Sequence, residues 1–182
     1  DGSAIAEGTD LLVYSEAIAE DAPERVRARS LGIRQISYFH ALGECTAGSK
    51  LIAICGTHGK SSTTAMAATV LQAAGSDPSV IVGTLVPDLG GRNWRAGKKD
   101  LFVVEACEYR RSFHYLSPSV ALLTNVDGDH FDAFGSLLEY REAFAVFLNR
   151  LSADGIVITH GNDPACRHLA ESSCRRFVDA DR

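Results

Sequence analysis

Leu51-Ile52-Ala53-Ile54-Cys55-Gly56-Thr57-His58-Gly59-Lys60-Ser61-Ser62 is the stretch on which the fold turns. Its first five residues are a continuous apolar run, as expected of a strand buried on both faces. Two glycines flank a polar turn, and Lys-Ser then opens a segment that predicts a helix from Ser61 to Ala74. Ala67, Val70, Leu71 and Ala74 fall on one face of that helix, Ser61 and Ser62 are suitable caps, and Gly75 ends it. A strand, a glycine turn, a lysine and a helix make up a phosphate site. Glycines let backbone N–H groups approach phosphate oxygens, and the helix N-terminus adds partial positive charge. Lys60 reaches the outer phosphates and the Ser61 hydroxyl suits Mg²⁺. The full P-loop spacing places a further glycine where Ile54 stands, so this loop is a shortened one.

The same alternation extends in both directions. Downstream, strands are predicted at 79–82, 101–104, 120–123, 156–158 and 176–178, and helices at 138–151 and 164–171. Residues 87–99, rich in glycine and charge, read as a loop or hairpin. Upstream, strands are predicted at 11–14 and 34–37, with a helix over 21–31 and a short one at 40–43. Apolar strands separated by helices predict an α/β fold, a mostly parallel sheet flanked by helices. The small polar run Thr46-Ala47-Gly48-Ser49 reads as a linker. It divides the chain into residues 1–48 and residues 49–182, the latter a P-loop-type domain.

Composition bounds the function. The chain has 182 residues, 46% of them hydrophobic and 23% charged, which is ordinary globular composition. A formal net charge of −5 disfavours nucleic acid as partner. No apolar run reaches the roughly 20 residues of a membrane span, and no basic-then-apolar leader opens the chain. Five cysteines without Cys-x-x-Cys spacing argue against a disulfide framework or a zinc site and for a reducing cytoplasm. A chain that opens Asp1-Gly2, with Met66 as its sole methionine, reads as a fragment or a processed product.

Ligands of parallel sheets bind beyond the carboxyl ends of the strands. After 101–104 comes Glu105, an acid at the rim of a buried strand and a candidate Mg²⁺ ligand beside the phosphate loop. After 120–123 come Thr124, Asn125, Asp127, Asp129 and His130. The imidazole of His130 is unusual for Mg²⁺, and it stands out because three strand ends converge. His40, His114, His160 and His168 read as surface or packing residues. Arg110-Arg111 reads equally as an anion clamp and as a charged helix surface. Trp94 reads as loop packing.

Gly-Thr-His-Gly-Lys-Ser at 56–61, Glu-Ala-Cys-Glu-Tyr at 105–109 and Thr-Asn-Val-Asp-Gly-Asp-His at 124–130 resemble the Mur ligases, and within them the alanine-adding branch. Val13-Tyr14-Ser15 through Ala17-Ile18, with Pro23-Glu24, resembles the end of that family's N-terminal UDP-binding domain. The resemblance spans nearly the whole chain. It implies a three-domain enzyme of which residues 1–48 are the last part of a Rossmann-like first domain and residues 49–182 the central ATP-binding domain. The family's adenine-contacting His-Asn segment is not found within 182 residues. Ser61 replaces the usual threonine, Cys107 stands where many members have aspartate, and Arg110 where many have a second acid. Sister ligases use a carbamoylated lysine beyond the metal histidine. Here no lysine follows Lys99, which fits the alanine-adding type.

The resemblance implies ATP-dependent amide-bond formation in the assembly of peptidoglycan precursors. The carboxylate of UDP-N-acetylmuramate becomes an acyl phosphate, which the L-alanine amine attacks. ATP and Mg²⁺ are the implied cofactors. Gly56, Thr57, His58, Gly59, Lys60, Ser61 and Ser62 would hold the phosphates. Ser61 and Glu105 would hold one metal ion, Glu105 and His130 a second, and Asn125 would position the substrate or the phosphate end. The rival readings are a relative that joins a preformed peptide to the same sugar nucleotide, a non-catalytic nucleotide-binding module and a generic P-loop kinase. The compact segment from Glu105 to Thr124 disfavours the first, and intact Lys60, Glu105 and His130 disfavour the second.

Overall fold

A computed structural model describes residues 2–127, 133–173 and 175–181, without the side chain of Lys99. The chain forms two compact units, residues 1–45 and 46–182. The division falls in the last turn of a helix, a little before the polar run 46–49. In the first unit, β1 (Leu11–Tyr14) and β2 (Arg34–Ser37) pair in parallel, with Val13 opposite Ile36. Helix α1 (Pro23–Ser30) connects them. Pro23 occupies its first turn, where the missing N–H costs nothing, and buried Ala28 is the helix residue turned inward. Helix α2 (Tyr38–Thr46) follows directly and is longer than the sequence pattern predicts.

The second unit is built on seven strands: β3 (Lys50–Cys55), β4 (Pro78–Val86), β5 (Arg92–Arg95), β6 (Lys98–Glu105), β7 (Val120–Leu123), β8 (Ile156–Thr159) and β9 (Arg176–Asp179). Their order is β5-β4-β6-β3-β7-β8-β9, and every pairing is parallel except β4 with β5. The chain leaves β3 on one side, returns at β6, and crosses to the other side of β3 at β7. That reversal opens a crevice at the carboxyl end of β3. The register sets Ile54 beside Glu105 and Cys55 beside Leu123, so the turns after β6, β3 and β7 are neighbours.

Helix α3 (Lys60–Ala73) covers one face, where Ala68 packs into a cluster with Ile54, Val80, Val82 and Val103. Its inward face runs through Thr64, Ala68 and Leu71; Val70 is 67% exposed and Ala74 is also exposed, which corrects the predicted face. Gly59 in the left-handed region caps α3, and no serine side chain does. Residues 87–99 form a short 3₁₀ turn, β5 and the start of β6 rather than an open loop. Pairing with β5 carries β4 on to Val86, well beyond its predicted end. Trp94 lies on β5, half exposed, with the Arg92 guanidinium 5.2 Å from its ring.

Helix α4 (Leu137–Leu148) is capped by Ser136, whose Oγ accepts the Glu139 N–H. It anchors a buried aromatic cluster in which Phe113 stacks on Phe147 at 4.5 Å and Tyr140 meets Phe134 edge-on at 5.0 Å. Helix α5 (Pro164–Ser172) is capped by the Asp163 carboxylate. Among the described residues no helix is long and apolar enough to cross a membrane.

Candidate functional site

The loop between β3 and α3 is shaped by two glycines and held by the segment after β7. Gly56 has φ 136°, and a Cβ there would lie 2.0 Å from Thr124 Oγ1, so no other residue fits. Gly59 has φ 79° with open space beside it; its need is conformational. The Asn125 side chain grips the loop at both polarities, accepting the His58 N–H at Oδ1 (2.9 Å) and donating from Nδ2 to His58 O (3.0 Å). Thr57 N donates to Asn125 O (2.9 Å), and the Thr124 hydroxyl donates to His58 O (2.7 Å). Asn125 therefore fixes the loop through its backbone. The N–H groups that remain for an anion are those of the first turn of α3, which have no partner within the helix.

Glu105, the last residue of β6, and Ser61, beyond β3, are brought together at one edge of the sheet. Ser61 Oγ donates to Glu105 Oε1 at 2.9 Å, and Glu105 Oε2 accepts the Gly83 N–H at 2.6 Å. A Cβ at Gly83 would stand 3.0 Å from both carboxylate oxygens, so the small residue on β4 makes room for the acid. A hydroxyl and a carboxylate at one point are hard oxygen donors and suit Mg²⁺, which completes its octahedron with water and phosphate oxygens. Among the described residues no three His, Cys, Asp or Glu side chains converge on one point. His130, with Gly128 and Asp129, lies outside the described residues.

Two further residues belong to the site and had no assigned role in the sequence. Glu108 is fully buried and pairs with Lys60, Oε1 to Nζ, at 3.0 Å. Tyr140, from α4, has its hydroxyl 3.0 Å from Thr57 Oγ1 and 3.4 Å from Glu108 Oε1. The sequence carries no signal that Glu108 is buried; its need of a cation follows from the folded turn. Tyr140 carries none either: its spacing is that of a core residue.

Arg110 and Arg111 do not form a helix surface. Both have left-handed backbones, φ 50° and 57°, in the 3₁₀ segment Tyr109–Tyr115. Arg111 pairs with Glu139, tying this turn to the start of α4. His160 is an exposed residue, as expected, and its Nδ1 lies 3.0 Å from Asp181 Oδ1. With His58, Gly59, Thr63, Asn125 and Thr159 it lines a cleft of about 380 Å³ beside the phosphate loop. Burial pushes the thiol of Cys55, at the end of β3, far above its usual range, and that of Cys107 up as well. Neither is a nucleophile at neutral pH.

Residues 54–180 match the model of the Mur ligase middle domain. The chain belongs to the Mur ligase family. It is 46% identical over 157 residues to the UDP-N-acetylmuramate–L-alanine ligase of Frankia alni, covering 86% of this chain and 26% of that protein. It is 40% identical over 166 residues to the corresponding Salinispora arenicola ligase, covering 91% and 32%. The chain thus spans about a quarter to a third of the length of these curated relatives. Among solved structures, the UDP-N-acetylmuramate–alanine ligase of Thermotoga maritima superposes with TM-score 0.79 at 31% identity, over 93% of this chain and 39% of that one. The UDP-N-acetylmuramate:L-alanyl-gamma-D-glutamyl-meso-diaminopimelate ligase of Neisseria meningitides gives TM-score 0.81 at 24% identity, over 93% and 58%, a likeness of fold. The Mur ligase match begins at Ile54, at the end of β3, and ends just beyond β9, so it takes in every residue of the site described above.

Proposed function

We propose that this chain is the nucleotide-binding part of an ATP-dependent ligase that joins L-alanine to UDP-N-acetylmuramate in the cytoplasm. The observation that carries the reading is the meeting of Ser61 and Glu105, 2.9 Å apart, beside the lysine of a glycine-flanked phosphate loop. Identities of 40% and 46% to alanine-adding ligases support that amino acid over a preformed peptide. In this reading the α3 N-terminus and Lys60 bind the ATP phosphates. The cleft lined by His58 and His160 gives the rest of the nucleotide room. Ser61 and Glu105 hold Mg²⁺, with His130 as ligand of a second ion. When bound, the metal supplies charge neutralisation at the transferring phosphoryl group. Lys60 stabilises the same group as it moves to the muramoyl carboxylate, and the amine of L-alanine then displaces phosphate from the acyl phosphate. Asn125 keeps the loop in shape through His58. Residues 1–48 are the closing segment of the UDP-binding domain.

The test uses the complete polypeptide that contains this chain, with L-alanine and UDP-N-acetylmuramate. Lys60→Ala is expected to lower ligation by well over ~10². His130→Ala is expected to raise the Mg²⁺ requirement while leaving ADP binding intact. Near-normal turnover of Lys60→Ala refutes the phosphate-loop assignment. Preference for L-alanyl peptides over L-alanine in a competition assay transfers the chain to the peptide-adding branch.

A further inference from the structure

Lys60 has no donor to spare for an incoming phosphate. Its Nζ lies 2.7 Å from Gly56 O, 2.9 Å from Thr57 O and 3.0 Å from Glu108 Oε1. An ammonium group has three N–H donors, so these three acceptors engage all of them. A nucleotide phosphate in the loop must therefore take the place of some of them. The acceptors are not equivalent. Gly56 O and Thr57 O are neutral carbonyls, and a carbonyl that loses a donor costs less than a charged group that loses its partner. Glu108 is a carboxylate with 0% exposure, and taking away its counter-charge would strand a buried anion. The bonds exchanged are the two to the carbonyls, and the ion pair persists.

Glu108 is itself held from a second direction. A carboxylate only accepts, so the Tyr140 hydroxyl, 3.4 Å away, donates to it. The Tyr140 oxygen then accepts from the Thr57 hydroxyl at 3.0 Å, and Thr57 Oγ1 accepts the Asp127 N–H at 3.0 Å. One directed chain of hydrogen bonds runs from the backbone after β7, through the phosphate loop and α4, to the partner of Lys60.

We propose that Glu108 is a positioning residue for phosphoryl transfer: it pins Lys60 at one N–H while the other two turn from the loop carbonyls to the phosphates. The inference rests on reading residues 56–61 as the phosphate loop. Glu108→Gln keeps the size and the acceptor oxygen but removes the charge. Lys60 then answers to the nucleotide alone. Its attraction to ATP is undiminished, while its alignment with the transferring group is lost.

The experiment measures kcat and KM for ATP, with thermal unfolding, in the complete polypeptide containing this chain. Glu108→Gln is expected to lower kcat at least tenfold with KM for ATP unchanged or reduced. Tyr140→Phe, which removes one donor to Glu108, is expected to lower kcat in the same direction by a smaller factor. A wild-type kcat in Glu108→Gln overturns the proposal, as does a raised KM with kcat unchanged. Should Glu108→Gln fail to fold, Tyr140→Phe decides by the same criteria. Lys60→Ala is run alongside. If it remains active, the phosphate-loop reading itself has failed. If it is inactive while Glu108→Gln behaves as wild type, only the role of Glu108 is refuted.

Discussion

At the scale of single residues, consecutive left-handed arginines are the feature the amino-acid types least lead one to expect. Non-glycine residues in this region cost about 1–2 kcal/mol each, and such strain gathers where function constrains the backbone. Arg110 and Arg111 adopt it one residue beyond Glu108, and the Arg111 N–H donates to Glu108 O at 2.7 Å, closing the turn that presents the buried acid to Lys60. Arg110 is exposed, its guanidinium 5.5 Å from the Tyr109 ring, a contact that solvent weakens. Glycine at 110 removes the steric cost but adds about 0.4–1 kcal/mol of chain entropy in the unfolded state. Arg110→Gly is therefore expected to raise stability by a few tenths to about 1 kcal/mol, read from urea midpoints of chains with equal m-values. A loss of more than about 1 kcal/mol would show that the arginine side chain holds the turn in place.

At the scale of elements, the pairing of Phe113 with α4 fixes where Tyr140 and Glu108 stand, and a histidine in the same layer links stability to pH. The His114 ring stacks on Phe113 at 4.9 Å, and its Nε2 lies 2.8 Å from Ala143 O, a bond that requires the proton on Nε2. Burial holds its pKa below the ordinary value of 6.5, with Arg150 and Arg111 acting in the same sense, against the opposing effect of the Ala143 bond. A base with a lowered folded pKa binds its proton later in the folded than in the unfolded chain. Stability is then full above 6.5 and falls as pH drops below it. The urea midpoint is expected to decline between pH 7 and pH 5.5, and His114→Gln to flatten that decline; an unchanged slope in the variant would assign it to other groups. Most elements were legible because their signals are local: 11–14, 34–37 and 120–123 are strands of the predicted bounds. The β4–β5 extension was not legible, because Val86 joins a strand only through its partner Arg92. Val70 falls outside the buried face of α3; hydropathy alone does not say which stripe meets the sheet. Glu105 and Ser61 were legible as residues that follow parallel strands. Glu108 and Tyr140 were not, since their meeting depends on a turn of unusual backbone and on a helix some thirty residues away.

At the scale of the molecule, the candidate site and the core of the parallel-sheet unit share residues, so the proposed nucleotide binding is expected to be felt throughout that unit. Cys55 ends β3 directly before the phosphate loop, and Cys166 lies in α5; both are fully buried. Burial raises the Cys166 thiol to about 11 and the Cys55 thiol further, so neither reacts in the folded chain near pH 8. Cys45 is exposed and serves as an internal reference. With a slow alkylating reagent, Cys45 is expected to label at the rate of a free thiol, and Cys55 and Cys166 only through opening of the fold. A ligand bound to the folded state alone suppresses such opening by the factor 1 + [L]/Kd, about a hundredfold at a hundred times Kd. If residues 46–182 open as one cooperative body, MgADP should slow Cys55 and Cys166 by the same factor and leave Cys45 unchanged, as peptide mass spectrometry would resolve. Protection of Cys55 alone would mean that α5 opens independently of the phosphate loop. Equal protection would make the whole seven-stranded sheet the unit that nucleotide stabilises, joining the directed chain from Asp127 to Lys60 with the rigidity of the strands that carry it.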